Sequence, residues 1–196
     1  MATYGDIIQI NMKDVYYTLT IKTGAMVKWV YEYCRHAKYV IKIDDDMYLD
    51  AEQFTYALDA RADQNAYFVC TVLVRPFVIR DPRSKFYISR ETWPLPTFSN
   101  HCLGSGYGFT ANAIPDIWRA ALKTELIQFE DVWLTGLVAR KVQDLKLVND
   151  KRVHFLPLLK NWCEMKHCIT MHGLSPENLL DIWRDKLAGY LNTNPS

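Results

Sequence analysis

The chain has 196 residues, 49% of them hydrophobic and 13% aromatic, with a net charge of +1 and a pI near 7.6. That suits one globular domain, residues 1–196, with a real core, and the absence of a basic arm or run argues against nucleic acid as a partner. The longest apolar run, residues 67–74, is far short of the about 20 residues a membrane-spanning helix needs, no secretory-leader pattern opens the chain, and five cysteines without a CxxC pair argue against a zinc knuckle.

Residues 5–10 (Gly-Asp-Ile-Ile-Gln-Ile) read as a strand. A helix follows over 18–34, with Leu19, Met26, Trp29, Val30 and Tyr33 on one apolar face. Tyr39 to Ile43 is β-branched and aromatic apart from Lys42, so it reads as a short buried strand, and it runs directly into Asp44-Asp45-Asp46. Asp50, with Gln53 three residues on, is a capping-box-like start for a helix to about Ala62. Residues 67–74 form the next buried strand and 85–89 another. Residues 90–103, rich in Pro, Thr, Ser and Asn, read as a surface loop leading to Gly104-Ser105-Gly106. Helices are expected over 113–123 and within 129–141, and a strand at 147–148. Ser175-Pro176-Glu177 opens a last helix, with Ser as N-cap and Pro at the first helical position. Strands alternating with helices indicate an α/β fold with a mainly parallel sheet.

Chemistry concentrates in four places. Three adjacent carboxylates at the carboxyl end of a strand stand where open α/β sheets bind ligands. They repel one another, and a hard divalent cation bridging them to phosphates would relieve that. An acidic triplet alone is equally a solvated turn. Glu130-Asp131 sits at a helix start, where the dipole favours acids; a general base is the functional alternative. Gly104-Ser105-Gly106 lets a ligand approach the backbone, or makes a tight turn, and lacks the spacing of a P-loop or dinucleotide fingerprint. His172 near a strand end, like His154 and His167, is unremarkable on spacing alone. The six Trp and twelve Tyr serve either as core or as platforms for sugar rings.

Taken in order along the chain, these segments resemble glycosyltransferase family 31, the β-1,3-galactosyltransferases and β-1,3-N-acetylglucosaminyltransferases. The resemblance rests on Tyr4 to Gln9; on Tyr17 to Thr23 with Trp29 and Cys34; and on Ala37 to Asp46. It continues through Lys85-Phe86-Tyr87, Cys102 to Tyr107 and Glu130-Asp131-Val132, and ends with Cys163, His172, Ser175-Pro176-Glu177 and Ile182-Trp183. One departure is Phe98-Ser99-Asn100-His101, where the family usually has Tyr-Pro-Pro-Tyr.

The resemblance implies a GT-A-like, Rossmann-type mixed sheet flanked by helices and incomplete at the N-terminus, since family members carry a tail, a membrane anchor, a stem and further strands ahead of this region. It implies an inverting, Mn²⁺-dependent hexosyltransferase that moves galactose or N-acetylglucosamine from a UDP-sugar to a glycan hydroxyl in β-1,3 linkage, on a glycoprotein or glycolipid. The enzyme would face the Golgi lumen, held to the membrane only through the N-terminal anchor. Asp44 and Asp45 would face the nucleotide sugar, Asp46 and His172 would hold the metal, and Asp131 would be the base. Gly104, Ser105, Gly106 and Glu130 would shape the donor and acceptor pocket. Cysteine pairing stays open, Cys34 with Cys102 being one candidate. The alternative is a non-catalytic, truncated remnant of the family, or a pseudoenzyme that binds a partner.

Overall fold

The computed structural model describes residues 5–61, 66–153 and 168–187. Tyr4, the expected helix end at Ala62, His154, Cys163 and His167 lie outside the described residues. Helix α1 (Leu19–Tyr33) leads into β1 (Tyr39–Ile43), the short β2 (Tyr48–Leu49) and α2 (Ala51–Asp59). Then come β3 (Tyr67–Leu73), β4 (His101–Thr110) and α3 (Ile114–Ala121). A π-helix (Val132–Val138), β5 (Lys146–Asn149), β6 (Thr170–Met171) and α4 (Pro176–Leu187) complete the described chain. α2 starts as its cap demands: the Asp50 carboxylate accepts from the Gln53 amide at 3.1 Å.

The main sheet has the order β1-β4-β3-β5, and β2 pairs separately with β6. β4 is antiparallel to both β1 and β3, and only β3 and β5 run parallel. The sheet is therefore mixed, not mainly parallel. Alternation of strands and helices led to the parallel expectation, but β4 is reached from β3 through a long loop without a crossover helix, which lets it return antiparallel.

Helices cover both faces. On one face Phe68, Cys70, Tyr107 and Phe109 pack with Val27 and Val30 of α1, Ile114 and Ile117 of α3, and Leu134 of the π-helix. On the other, Tyr67 and Val69 pack with Phe54 and Leu58 of α2 and with Ile169. The alternation along β3 is the period of two expected of a strand buried on both faces. A Cβ on Gly108 would come within 2.9 Å of the Phe54 ring, so α2 packs against β4 where that side chain is absent.

Three local expectations are corrected. Residues 5–10 pair with no strand among the described residues, and Ile7 is 69% exposed; strand propensity reports fit to a half-buried pleated surface, which this segment does not meet. Residues 85–89 form a looped segment rather than a strand. The Arg80 guanidinium donates to the carbonyls of Ile88 (2.7 Å), Ser89 (2.8 Å), Trp93 (2.5 Å) and Leu95 (2.9 Å), supplying the partners a neighbouring strand would otherwise give. Finally, Cys102 pairs with Cys70, not Cys34, stapling β4 to β3 across a separation of 32 residues; Cys34 is a free thiol.

Candidate active site

The carboxyl end of β1 is the anchor of the site. Tyr39 to Ile43 register against Thr110 to Gly106 of β4, and the Asp44 amide donates to the Ser105 carbonyl at 3.1 Å. The chain then turns, leaving Asp45 and Asp46 exposed and Asp44 half-buried. Gly104-Ser105-Gly106 lies within β4 rather than in a turn ahead of it.

Lys42, the one charge inside β1, ties this end to the second acidic pair. Its ammonium is bonded to the Asp44 carboxylate, donates to the Gly104 carbonyl at 2.5 Å, and lies 3.2 Å from Glu130 Oε1. Glu130 is buried, and its other oxygen accepts from Tyr107 Oη at 2.9 Å and Thr23 Oγ1 at 3.1 Å. Burial alone would lower the Lys42 ammonium; Glu130 and Asp44 outweigh it, so the net shift is upward and Lys42 stays charged. Burial raises the Glu130 carboxyl, and Asp131 adds to that; Lys42 and the Tyr107 hydroxyl act against them. Tyr107 is pushed well above the usual phenol range by burial and by Glu130, so it remains a donor.

Asp131 ends the turn before the π-helix. One carboxylate oxygen accepts from the Val132 amide at 2.8 Å, and its backbone carbonyl accepts from Thr135 Oγ1 at 2.7 Å. Thr135 in turn accepts from the Cys102 amide at 2.8 Å, fixing the turn to β4. A Cβ on Gly104 would stand 3.0 Å from the other Asp131 oxygen, so glycine is what lets the carboxylate lie against the strand. Burial pushes the Asp131 carboxyl above the usual range; His101, the Val132 amide and Lys42 restrain the shift. The residue is thereby tuned toward proton acceptance nearer neutral pH. The expected α-helix over this segment is instead a π-helix followed by a 3₁₀ turn, Ala139–Lys141. Single π turns recur at functional sites.

Asp46 meets His172 because β2 and β6 pair, Tyr48 opposite Met171. His172 Nε2 lies 3.3 Å from Asp46 Oδ2. Among the described residues no group of three His, Cys, Asp or Glu side chains converges as a metal cage. An O,N pair at this separation nevertheless suits a hard or borderline divalent ion that takes its remaining ligands from phosphate and water.

The structure thus gathers every residue singled out in the sequence along one edge of the sheet. Asp44 to Asp46 and His172 lie at the β1 end, and Gly104 to Gly106, Glu130 and Asp131 lie over β4. Sequence reasoning passed over Lys42, Tyr107, Thr23 and Thr135. A lysine inside an apolar strand was the available signal for the first. The hydroxyl donors had none, because their role depends on contacts across more than 100 positions for Thr23 and 33 for Thr135.

Residues 1–150 match the family described as galactosyltransferase. The chain belongs to the galactosyltransferase family. It is 34% identical over 184 residues to human beta-1,3-galactosyltransferase 1, covering 93% of this chain and 56% of that protein. It is 29% identical over 182 residues to beta-1,3-galactosyltransferase 5 of Pan troglodytes, covering 92% and 61%. The chain therefore spans about three-fifths of the length of the curated relatives it matches. No helix among the described residues is long and apolar enough to cross a membrane.

Proposed function

We propose that this member of the galactosyltransferase family transfers galactose from UDP-galactose to a glycan hydroxyl with inversion, forming a β-1,3 linkage. The observation that carries the reading is the single Lys42 ammonium joining the Asp44 end of β1 to the Glu130-Asp131 turn. It supports the reading of a donor side and a base side held next to each other. Asp44 and Asp45 face the nucleotide sugar, and Asp46 with His172 supplies the protein ligands of a Mn²⁺ ion. When bound, that ion would neutralise charge on the diphosphate leaving group.

Asp131 takes the proton from the acceptor hydroxyl. Its Val132 bond orients one oxygen, and the bare Gly104 backbone leaves the other clear of side chains on that side. A displacement with inversion needs one base on the face opposite the leaving group, so a single half-buried carboxylate suffices. Glu130, held by three donors, shapes the floor. The Cys70–Cys102 disulfide suits an oxidising compartment, and with the family's character it supports a Golgi-lumenal setting.

Calorimetric titration of UDP into the chain, with Mn²⁺ and with EDTA, tests the donor site. Binding that requires Mn²⁺ and vanishes in Asp46→Ala is expected. A folded protein that fails to bind UDP under both conditions would replace this reading with that of a non-catalytic relative.

A further inference from the structure

Past the donor and base positions, the sheet continues to the last residues of β3 and the first residues of β5. There it opens into a cleft of about 780 Å³ that the proposed transfer chemistry does not use. Trp93 and Phe98, with ring centroids 5.2 Å apart, form an aromatic wall, and Leu95 extends it. Arg75, Arg140 and Lys146 line the cleft, each is exposed, and no acidic residue does. Among the described residues none of these three cations forms an ion pair. Their charge is therefore not neutralised by a neighbouring carboxylate.

The cleft is also held in shape. Arg80 clamps the carbonyls of Trp93 and Leu95, fixing the aromatic wall. Arg75 sits at φ 44°, a backbone state uncommon for any residue but glycine, and its amide donates to Asn100 Oδ1 at 3.1 Å. A neighbouring cleft across Trp93 and Arg140 includes Glu91 and Glu125 in its lining, so the acid-free character belongs to this one. Thr135 lines the floor, and its hydroxyl bonds to the Asp131 carbonyl. Through Thr135 the cleft reaches the Asp131 backbone, and none of Asp44 to Asp46 lines it.

We propose that this cleft binds an anionic sugar unit of the acceptor glycan, one bearing a carboxylate or a sulfate. The aromatic wall suits the apolar face of a sugar ring, and the three unpaired cations suit its charge. The placement follows from the geometry: a donor at the β1 end leaves the acceptor to approach Asp131 from the β3–β5 end. This inference rests on the transferase reading for its word "acceptor", but its binding test contains neither donor nor metal.

Titration of sialyllactose, lactose 3′-sulfate, neutral lactose and inorganic sulfate, followed by tryptophan fluorescence and calorimetry, decides it. Both anionic oligosaccharides are expected to bind at least about tenfold more tightly than lactose. The preference should disappear in the Arg75→Ala/Arg140→Ala double variant, survive in Glu91→Ala, and weaken at high salt. Which of the two anionic sugars binds better identifies the charge the cleft selects. Three results would overturn the proposal. They are lactose binding as well as its charged derivatives, a preference that persists in the double variant, and inorganic sulfate binding as tightly as lactose sulfate, an adventitious ion only. Failure of UDP to bind with Mn²⁺ would remove the transferase reading and leave the anion preference standing. UDP binding without an anion preference would do the reverse.

Discussion

The two acidic runs of this protein look alike in sequence and differ in almost every physical respect. Asp44-Asp45-Asp46 leaves the end of a strand into solvent, with Asp45 and Asp46 exposed. Glu130 is buried behind β4 and surrounded by donors and by Lys42, and Asp131 beside it is half-buried. Repulsion in the first run is relieved by Lys42 at Asp44, while at Asp45 and Asp46 it is left for water or a bound cation. In the second, the same ammonium faces Glu130, and burial raises the proton affinity of both carboxylates. Exposure suits a site that must take up an ion and a nucleotide, and burial suits one that must accept a proton. Clustering of acids in sequence therefore says little until the surroundings of each carboxylate are known.

The sharpest way to break this comparison is Asp131→Asn. Transfer should fall by about 10²- to 10⁴-fold, the span a positioned general base contributes, while UDP binding with Mn²⁺ stays unchanged. Steady-state rates against UDP-galactose, with titration of UDP, would show it. Stability should move the other way. Burial raises the folded-state pKa of Asp131, so the charged form is disfavoured once the pH exceeds the ordinary carboxylate range, and the penalty is complete above the raised value. The Asn variant should thus be more stable than wild type near pH 8 and lose that advantage as the pH falls toward about 4. Urea unfolding at the two pH values would detect it, and equal stability at both would show that Asp131 is not held in a desolvated state.

Lys42→Met comes next. It would strip Glu130 of the only ammonium near it among the described residues and free Asp44, at a cost of about 3 kcal/mol, the low end for breaking a buried ion pair. Glu130→Gln alone should cost less, because Asp44 still holds Lys42. The double variant should recover part of the Lys42→Met loss, since the uncompensated buried carboxylate is then gone. Additive effects of the two changes would show that Lys42 acts on the site through Asp44 rather than through Glu130.

Severing the Cys70–Cys102 link by double substitution to Ser should destabilise the chain by a similar amount, about 3.7 kcal/mol for a loop closed across 32 residues on the chain-entropy account. The expected effect on the two runs is unequal. The disulfide braces β4 at Cys102, next to the Thr135 contact that holds the Asp131 turn, so transfer should suffer before UDP affinity does. A parallel loss of both would mean that β4 and the β1 end move as one body.

What could be read from the sequence follows the same division. β1, the cap at Asp50, the last helix and the acidic triplet are local features, written in runs of a few residues, and each was legible. The direction of β4 was not, because a long loop such as residues 74–100 leaves open on which side, and in which sense, the chain returns. Residues 5–10 carry strand propensity without a partner, and residues 85–89 have their carbonyls taken by Arg80, a side chain no strand pattern accounts for. The disulfide and the ring of donors around Glu130 join residues far apart in sequence. Of the candidate site, the carboxylates could be named only through the ordered family resemblance, since their spacing alone fits a solvated turn or a helix start equally well. Their protonation behaviour could not, because it is set by Lys42, Tyr107 and Thr23 reaching them in space.

The smallest effect should come from the same chemical change made in the exposed run. Asp45 takes part in no hydrogen bond or ion pair among the described residues, so Asp45→Asn should alter stability by no more than about 0.5 kcal/mol. It relieves repulsion from Asp44 and Asp46, so the sign should favour the variant, most clearly at low salt. If Asp45 faces the nucleotide sugar, UDP-galactose affinity should fall by about tenfold, the value of one lost charge-assisted contact, with no shift in the pH profile of transfer. A profile that moves with Asp45→Asn would mean that the exposed run sets the proton affinity of Asp131 across the site. The separation of the two acidic regions into an ion-and-donor side and a proton side would then fail.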